Sequence, residues 1–445
     1  MTQTPPSLSS LHGKRRYVKL ALVALVPALL PSAARAEVVA EHADGAVLAV
    51  GARGTPTVAY LDERALVVTT RMASGWRGGR VPLPVPVTEA SVVSAAVGGD
   101  GRPVVLVEDV VRRTLVVAWR RPSGWLVVPA ARLSQSVQLG VGGLALERRG
   151  TPVVAYAFRR PTGKTFLRLV RIDRRGRATT TAITKLGFPN SALPPSAAPH
   201  VTRAGLVRVV EAYTSAVIDW FRDGAKWTGQ YLFASRLGSP LGRVLALPGP
   251  RSAVVAWTQD YPSFGESHVL LQQGPPTGEV ADLLPHARLS ALTLAGDRPE
   301  VGANDWVDVD GWTTYAGLLA FLDAPPVELD GRLEGYAAVG GARQLLLATD
   351  RGLEWFLTPR PSIRLSLGVD ASGAASGRVA GVTDGSVEIY REAPDTGRRL
   401  AATAAIAPDG SFSAQVPPTS TLYRAVYRDP RTGVPYAALL RAPAG

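Results

Sequence analysis

Two acidic residues at alternate positions, Asp308 and Asp310, stand ahead of Gly311 in NDWVDVDG (304–311), the densest acidic run of the chain. Oxygen ligands spaced by two can converge on one calcium ion, so the pair is a weak candidate metal site. Trp306 fills the preceding alternate position, and no Glu closes a twelve-residue loop, which favours an ordinary hairpin over a cation site. Calcium is therefore the one cofactor in view. The histidines beyond residue 36 (His42, His200, His268 and His286) lie far apart and share no metal-ligand spacing. The chain has no GxSxG, HExxH, phosphate-loop or GxGxxG motif, and no catalytic residue is assigned. The longest irregular stretches are 186–200 and YPSFGESH (261–268). Loops carried on a rigid scaffold are where ligands are held. Tyr261, Phe264 and Glu266 are accordingly the candidate contacts.

The elements that would carry these loops are strands. GTPTVAY (54–60) returns as GTPVVAY (150–156), with GRPVVLV (101–107) between them. Weaker copies follow at 204–213, 249–257, 296–304 and 341–349. A period of roughly 44–54 residues built from short apolar runs is a signature of β-propeller blades. Each unit parses into four strands rich in Val, Thr and Tyr, separated by Gly, Pro or Asp-Gly. Gly supplies a positive φ between the first two strands, and the Pro two places later begins a strand where its missing N–H is tolerated. Trp76, Trp125, Trp227 and Trp312 are each expected to open the last strand of a unit. Six complete units are followed by a three-stranded seventh (335–358). An open edge invites aggregation, so residues 37–41 (EVVAE) are expected to supply the missing strand. The fold class is thus all-β, a seven-bladed propeller with six blades as the alternative, over residues 37–358.

Residues 1–36 read as a signal peptide. Lys14, Arg15, Arg16 and Lys19 precede the apolar run 20–30, and Ala34-Arg35-Ala36 gives the small-x-small cleavage pattern. The apolar run is short for a membrane span and is broken by Pro27, and no other run approaches 18 apolar residues, so no transmembrane segment is expected after cleavage. The chain has no cysteine, which excludes disulfides, thiolate metal sites and a lipoprotein anchor. Of the net charge of +13, five basic residues fall within 1–36; the remainder is spread over Arg-Arg pairs beside turns. Such a surface suits anionic cell-wall polymers, and export argues against nucleic acid.

After residue 358 the pattern changes to about seven short alternating strands, with Asp384-Gly385 and Asp409-Gly410 read as hairpins. APDGSFSAQVPPTSTLYRAVY (407–427) resembles the Ig-like domains appended to exported bacterial proteins, which implies a small β-sandwich over 363–445 serving as spacer or adhesion module. The turns Asp223–Trp227 and Asp310–Trp312 loosely resemble the Asp-box turns of sialidase-like propellers. They lack the Ser/Thr and the spacing, and no local motif places the arginine cluster or Tyr/Glu pair that sialidases need. The resemblance therefore implies fold and not catalysis.

The expectation is a secreted or surface-associated, monomeric binding or scaffold protein that recognises an extracellular glycan or protein. The alternative is a propeller glycoside hydrolase or lyase acting on extracellular polysaccharide. Intact-mass measurement of exported protein should give a mature chain beginning at Glu37; a product retaining the apolar run 20–30 would show the segment to be an anchor.

Overall fold

The two strands that hold these heptapeptides, Pro56–Asp62 and Pro152–Arg159, lie inside antiparallel sheets of four and five strands respectively. Both are buried on both faces: Val58, Ala59, Val153, Val154 and Ala155 have no exposure. Gly54 and Gly150 sit at φ 77° and 74°, the left-handed region that closes the turn before each strand. The structure is a computed structural model. It describes residues 35–83, 90–109, 111–186, 195–213, 216–234, 241–249, 252–261, 266–274, 279–309, 312–394, 396–418 and 422–441. Residues 1–34 of the expected leader 1–36 lie outside them, while Arg35 and Ala36 begin a strand.

The sheets follow one another along the chain. Sheet I spans 44–80, II 90–132, III 138–186, IV 196–234, V 241–285, VI 287–330, and VII takes three strands from 332–358. In sheet III the first place is shared by the short strands Gln138–Leu139 and Gly143–Leu146. The first strands lie side by side in the order I, II, III, IV, V, VI, VII, and that of VII returns to that of I. This is an all-β, propeller-like arrangement. At the return, a Cβ on Gly335 would lie 2.4 Å from the Leu48 Cβ, so only glycine allows the two first strands to approach this closely.

The fourth strand of sheet VII is Arg35–Ala40, which pairs antiparallel with Gly352–Thr358 (Glu37 opposite Trp355). Its Glu37 also forms a bidentate ion pair with Arg71 of sheet I, at 2.6 and 2.7 Å. Trp76 of sheet I meets Trp355 of sheet VII edge to face at 5.6 Å. The joint between sheets VII and I is therefore sewn by the segment expected to close it.

Three expectations need correction. Trp312 opens the third strand of sheet VI, Trp312–Phe321, while Trp76, Trp125 and Trp227 lie at the start of fourth strands. Sheet VI has a longer second strand, Arg298–Val309, which shifts the tryptophan to the other side of the following turn. Within the supposed loop 186–200, Ser196–Val201 is the first strand of sheet IV. Asp384-Gly385 and Asp409-Gly410 are corners between two sheets, not hairpins. Ala374–Val379 and Ser411–Gln415 belong to one sheet of the tail, whereas Ser386–Ala393 and Gly397–Ala405 belong to the other. Glycines at φ 106° and 85° serve a corner as well as a hairpin.

The tail places Leu365–Val369, Ala374–Val379 and Ser411–Gln415 in a three-stranded sheet. The other four strands, Ser386–Ala393, Gly397–Ala405, Leu422–Arg428 and Pro435–Arg441, extend sheet VI, meeting it where Leu329 pairs with Tyr436. One apolar core continues from Leu319, Leu329 and Phe356 into Val387, Ile389 and Tyr423. Arg424, 1% exposed, bonds Glu392 at 2.6 Å and Thr314 at 2.8 Å and approaches Asp330 at 3.4 Å. Arg398 grips Asp330 with two 2.9 Å bonds.

Deleting residues 37–41 should cost several kcal/mol, seen as a Tm lower by ~10 °C or as aggregation through the bared edge of 352–358. Thermal unfolding and size-exclusion chromatography report both; an unchanged Tm would mean that the strand does not hold the joint.

Candidate functional site

Antiparallel strands alternate in direction. The start of each first strand, the end of each second and the start of each third therefore lie along one edge of every sheet. At that edge, inside the circuit, is a cavity of about 760 Å³. Its walls come from sheets I, II, V, VI and VII. They carry Arg243, Arg288, Arg332, Asp260, Glu334, Trp306, Tyr315 and Ser290.

The three arginines occupy one structural position. Each lies at the start of a first strand, in Gly242-Arg243-Val244, Ala287-Arg288-Leu289 and Gly331-Arg332-Leu333, at intervals of 45 and 44 residues. Sheet II puts Ser91 in the corresponding place, and in sheet I the residue after that place is Ala46, whose N–H likewise reaches the preceding sheet at Glu334. Beside each arginine the strand pairing slips, between Leu241 and Val244, Leu289 and Ala291, and Leu333 and Gly335. Such bulges re-aim a side chain and leave a backbone group unpaired. In all three cases the N–H of the residue after the arginine donates to a side chain of the preceding sheet. Val244 reaches Ser196 Oγ at 3.1 Å, Leu289 reaches Thr258 Oγ1 at 3.0 Å, and Leu333 reaches Asn304 Oδ1 at 2.7 Å. The arginines thus stand on backbone anchored to the neighbouring sheet.

Their surroundings differ. The Arg288 guanidinium lies over the Trp306 ring, 3.8 Å from its centroid, and Trp306 meets Tyr315 edge to face at 5.8 Å. Among the described residues Arg288, which lines the cavity, makes no hydrogen bond. Arg332 donates from Nε to Glu334 Oε1 and lies 5.7 Å from the Tyr315 centroid. Arg243 donates to Val93 O at 3.3 Å. Burial lowers its pKa from the ordinary value and Glu334 works against that; a guanidinium stays charged. The two carboxylates are engaged: Asp260 accepts from Ser267 Oγ at 2.7 Å, and Glu334 takes the Arg332 bond and the Ala46 N–H at 3.4 Å. Among the described lining residues three cations stand against two anions, one positive charge in excess. The Ser290 Oγ is buried with no hydrogen-bond partner among the described residues.

Tyr261 and Glu266 flank the second hairpin of sheet V on this same edge, beside Asp260. The structure joins them to residues set aside as isolated. His268 lies 2.7 Å from Asp282 and 3.3 Å from Glu266, Tyr261 packs edge to face on its ring at 5.0 Å, and His286 is 4.0 Å from Glu266. Burial opposes the positive charge of His268, but its bonds to Asp282 and Glu266 outweigh this and raise its pKa. Burial, aided by Asp282, raises that of Tyr261. Phe264 and Asp310 lie outside the described residues. Asp308 is in the strand Arg298–Val309, opposite Thr313. Among the described residues no three His, Asp or Glu are grouped so as to hold a metal ion.

Sequence reasoning missed the arginines and Trp306, because the alignment was anchored on second strands. The signal was the same repeat read one strand earlier, as small-Arg-Val/Leu.

No family model matches the chain, and no curated protein sequence matches it. Solved structures with similar folds include AofleA from Arthrobotrys oligospora, at 12% identity over 55% of this chain and 75% of that one, with a TM-score of 0.36. A protein of unknown function from Dyadobacter fermentans is 11% identical over 65% and 99%, with a TM-score of 0.41. A puromycin hydrolase variant is 12% identical over 76% and 59%, with a TM-score of 0.45. Likenesses this distant carry no argument about what the chain binds.

The most strongly raised acid is elsewhere. Glu211 of sheet IV is fully buried, accepts one bond from Trp220 Nε1 at 3.0 Å, and leaves Oε1 without a partner among the described residues. Burial pushes its pKa from 4.5 to about 8. A raised carboxyl binds its proton more tightly in the folded state, so this contribution to stability is complete below about pH 4.5 and is lost as pH rises toward 8. Glu211→Gln should flatten that decline, worth about 3–5 kcal/mol across the window. Denaturant unfolding of both proteins at pH 5 and pH 8 measures it; parallel pH profiles would show Glu211 to be ionised in the fold.

Proposed function

We propose that the chain is an exported seven-bladed β-propeller with a C-terminal Ig-like sandwich, and that it is a non-catalytic module recognising an extracellular glycan or protein in the cavity at the propeller axis. The circuit of first strands and the pairing of 35–40 with 352–358 support seven blades over six. The two-sheet tail supports the sandwich.

One observation carries the binding role. The cavity offers the Arg288 guanidinium and two aromatic rings, while Arg332, Arg243 and both carboxylates are already engaged by neighbouring groups. A ligand site needs a few convergent polar groups in a concavity of roughly 300–1,000 Å³, and this cavity meets that description. A glycoside hydrolase needs two carboxyl groups roughly 5–10 Å apart and free to act on the scissile bond. The hydrolase reading keeps one support, namely that Asp260 and Glu334 line the same cavity.

A glycan array run alongside a polysaccharide-degradation screen separates the two. The mature chain should bind without releasing reducing ends. Degradation that disappears in Asp260→Asn or Glu334→Gln would replace the binding role with an enzymatic one.

A further inference from the structure

We infer that the cavity takes a carboxylated sugar ring of the hexuronate type, with the ring carboxylate held by Arg288 and the neighbouring arginines. This rests on the reading of the cavity as a ligand site and adds the chemical class of the ligand.

A planar guanidinium laid on an aromatic face has its π surface occupied and its N–H groups directed outward in one plane. That is the geometry for a two-pronged grip on a carboxylate. Arg288 is in this state: it lies 3.8 Å above Trp306 and makes no hydrogen bond among the described residues. Trp306 here acts as a positioning residue. Arg332 is partly spent on Glu334, and Arg243 gives one N–H to Val93, so Arg288 has the largest unspent capacity.

The charge sets the class. One positive charge in excess matches the single negative charge of a uronate, whereas a phosphate monoester, nearly dianionic at neutral pH, would leave the cavity negative. The remaining walls suit a sugar. Trp306 keeps 41% of its surface open beside Tyr315, giving an apolar face for ring C–H groups. At about 760 Å³ the cavity has room for more than one ring.

The experiment is isothermal titration of the mature full chain with oligogalacturonides, their methyl-esterified forms and neutral oligosaccharides of equal length. Binding of the free acid is expected, with at least ~10-fold weaker binding of the ester. Arg288→Ala should weaken the acid to the level of the ester. Arg288→Lys should recover only part, because ammonium cannot stack and fork. Trp306→Leu should weaken the acid more than it weakens any residual ester binding, an effect that a merely structural role would not show. Circular dichroism confirms folding of each variant, and Tyr231→Ala, exposed on sheet IV and outside the cavity lining, should leave the preference for acid over ester intact.

Acid binding unchanged by Arg288→Ala would overturn the site assignment. Equal affinity for acid and ester, or binding of neutral glycans or proteins alone, would overturn the ligand class while leaving the binding role in place. A chain that binds nothing on the array and degrades polysaccharide would overturn both readings.

Discussion

A sheet apolar on both faces is stable only with a neighbour on each side, and that requirement organises the whole molecule. Val104, Val153, Val254 and Leu345 are each sealed between adjoining sheets with 1% exposure or less. No sheet in such a series can be terminal without baring a face, so the series has to return on itself. The return brings the first strands of sheets VII and I within reach of each other at Gly335 and Leu48. It also creates the concavity that those strands surround. The cavity is thus a by-product of burying apolar area, and its chemistry is decided by whichever side chains stand at the strand starts.

The tail is bound to the propeller-like body by a different kind of force. Arg424, Glu392, Asp330 and Arg398 are charged groups taken largely out of water. The desolvation of such groups consumes most of what their attraction returns, and buried ion networks often add little net stability. They do penalise any misaligned docking, because a displaced partner leaves a bare charge in the core. Glu328 adds a further constraint: burial pushes its carboxyl up to about 7, the charge of Arg424 works against this, and its Oε1 has no partner among the described residues. A continuous apolar core runs beneath them.

What was legible in the sequence tracks what repeats. Gly54 and Gly150 announced positive φ, and the buried runs after them announced second strands, since burial on both faces leaves no alternation to misread. Even the closing strand at 37–41 followed from counting and from the hazard of an open edge. Turn chemistry alone misled at Asp384-Gly385 and Asp409-Gly410, because a left-handed glycine serves a corner between sheets as well as a hairpin. The cavity was illegible for a related reason. Arg243, Arg288 and Arg332 stand on the edge that varies between copies, and what re-aims them is a bulge, visible only once the pairing of strands is known. In the sequence Trp306 only interrupts the spacing of a calcium loop; its place beneath Arg288 needs the adjacent strand.

The pairing of Arg35–Ala40 with Gly352–Thr358 also imposes an order in time. Roughly 300 residues separate the two strands. When the chain emerges from its N-terminal end, the earlier strand has no partner until those residues have followed. During that interval Glu37 and Arg71 can already meet across a short stretch of chain, holding the waiting strand against sheet I. The last step of folding is then a docking of sheet VII onto a prepared edge, which replaces a search by a free end for a distant site.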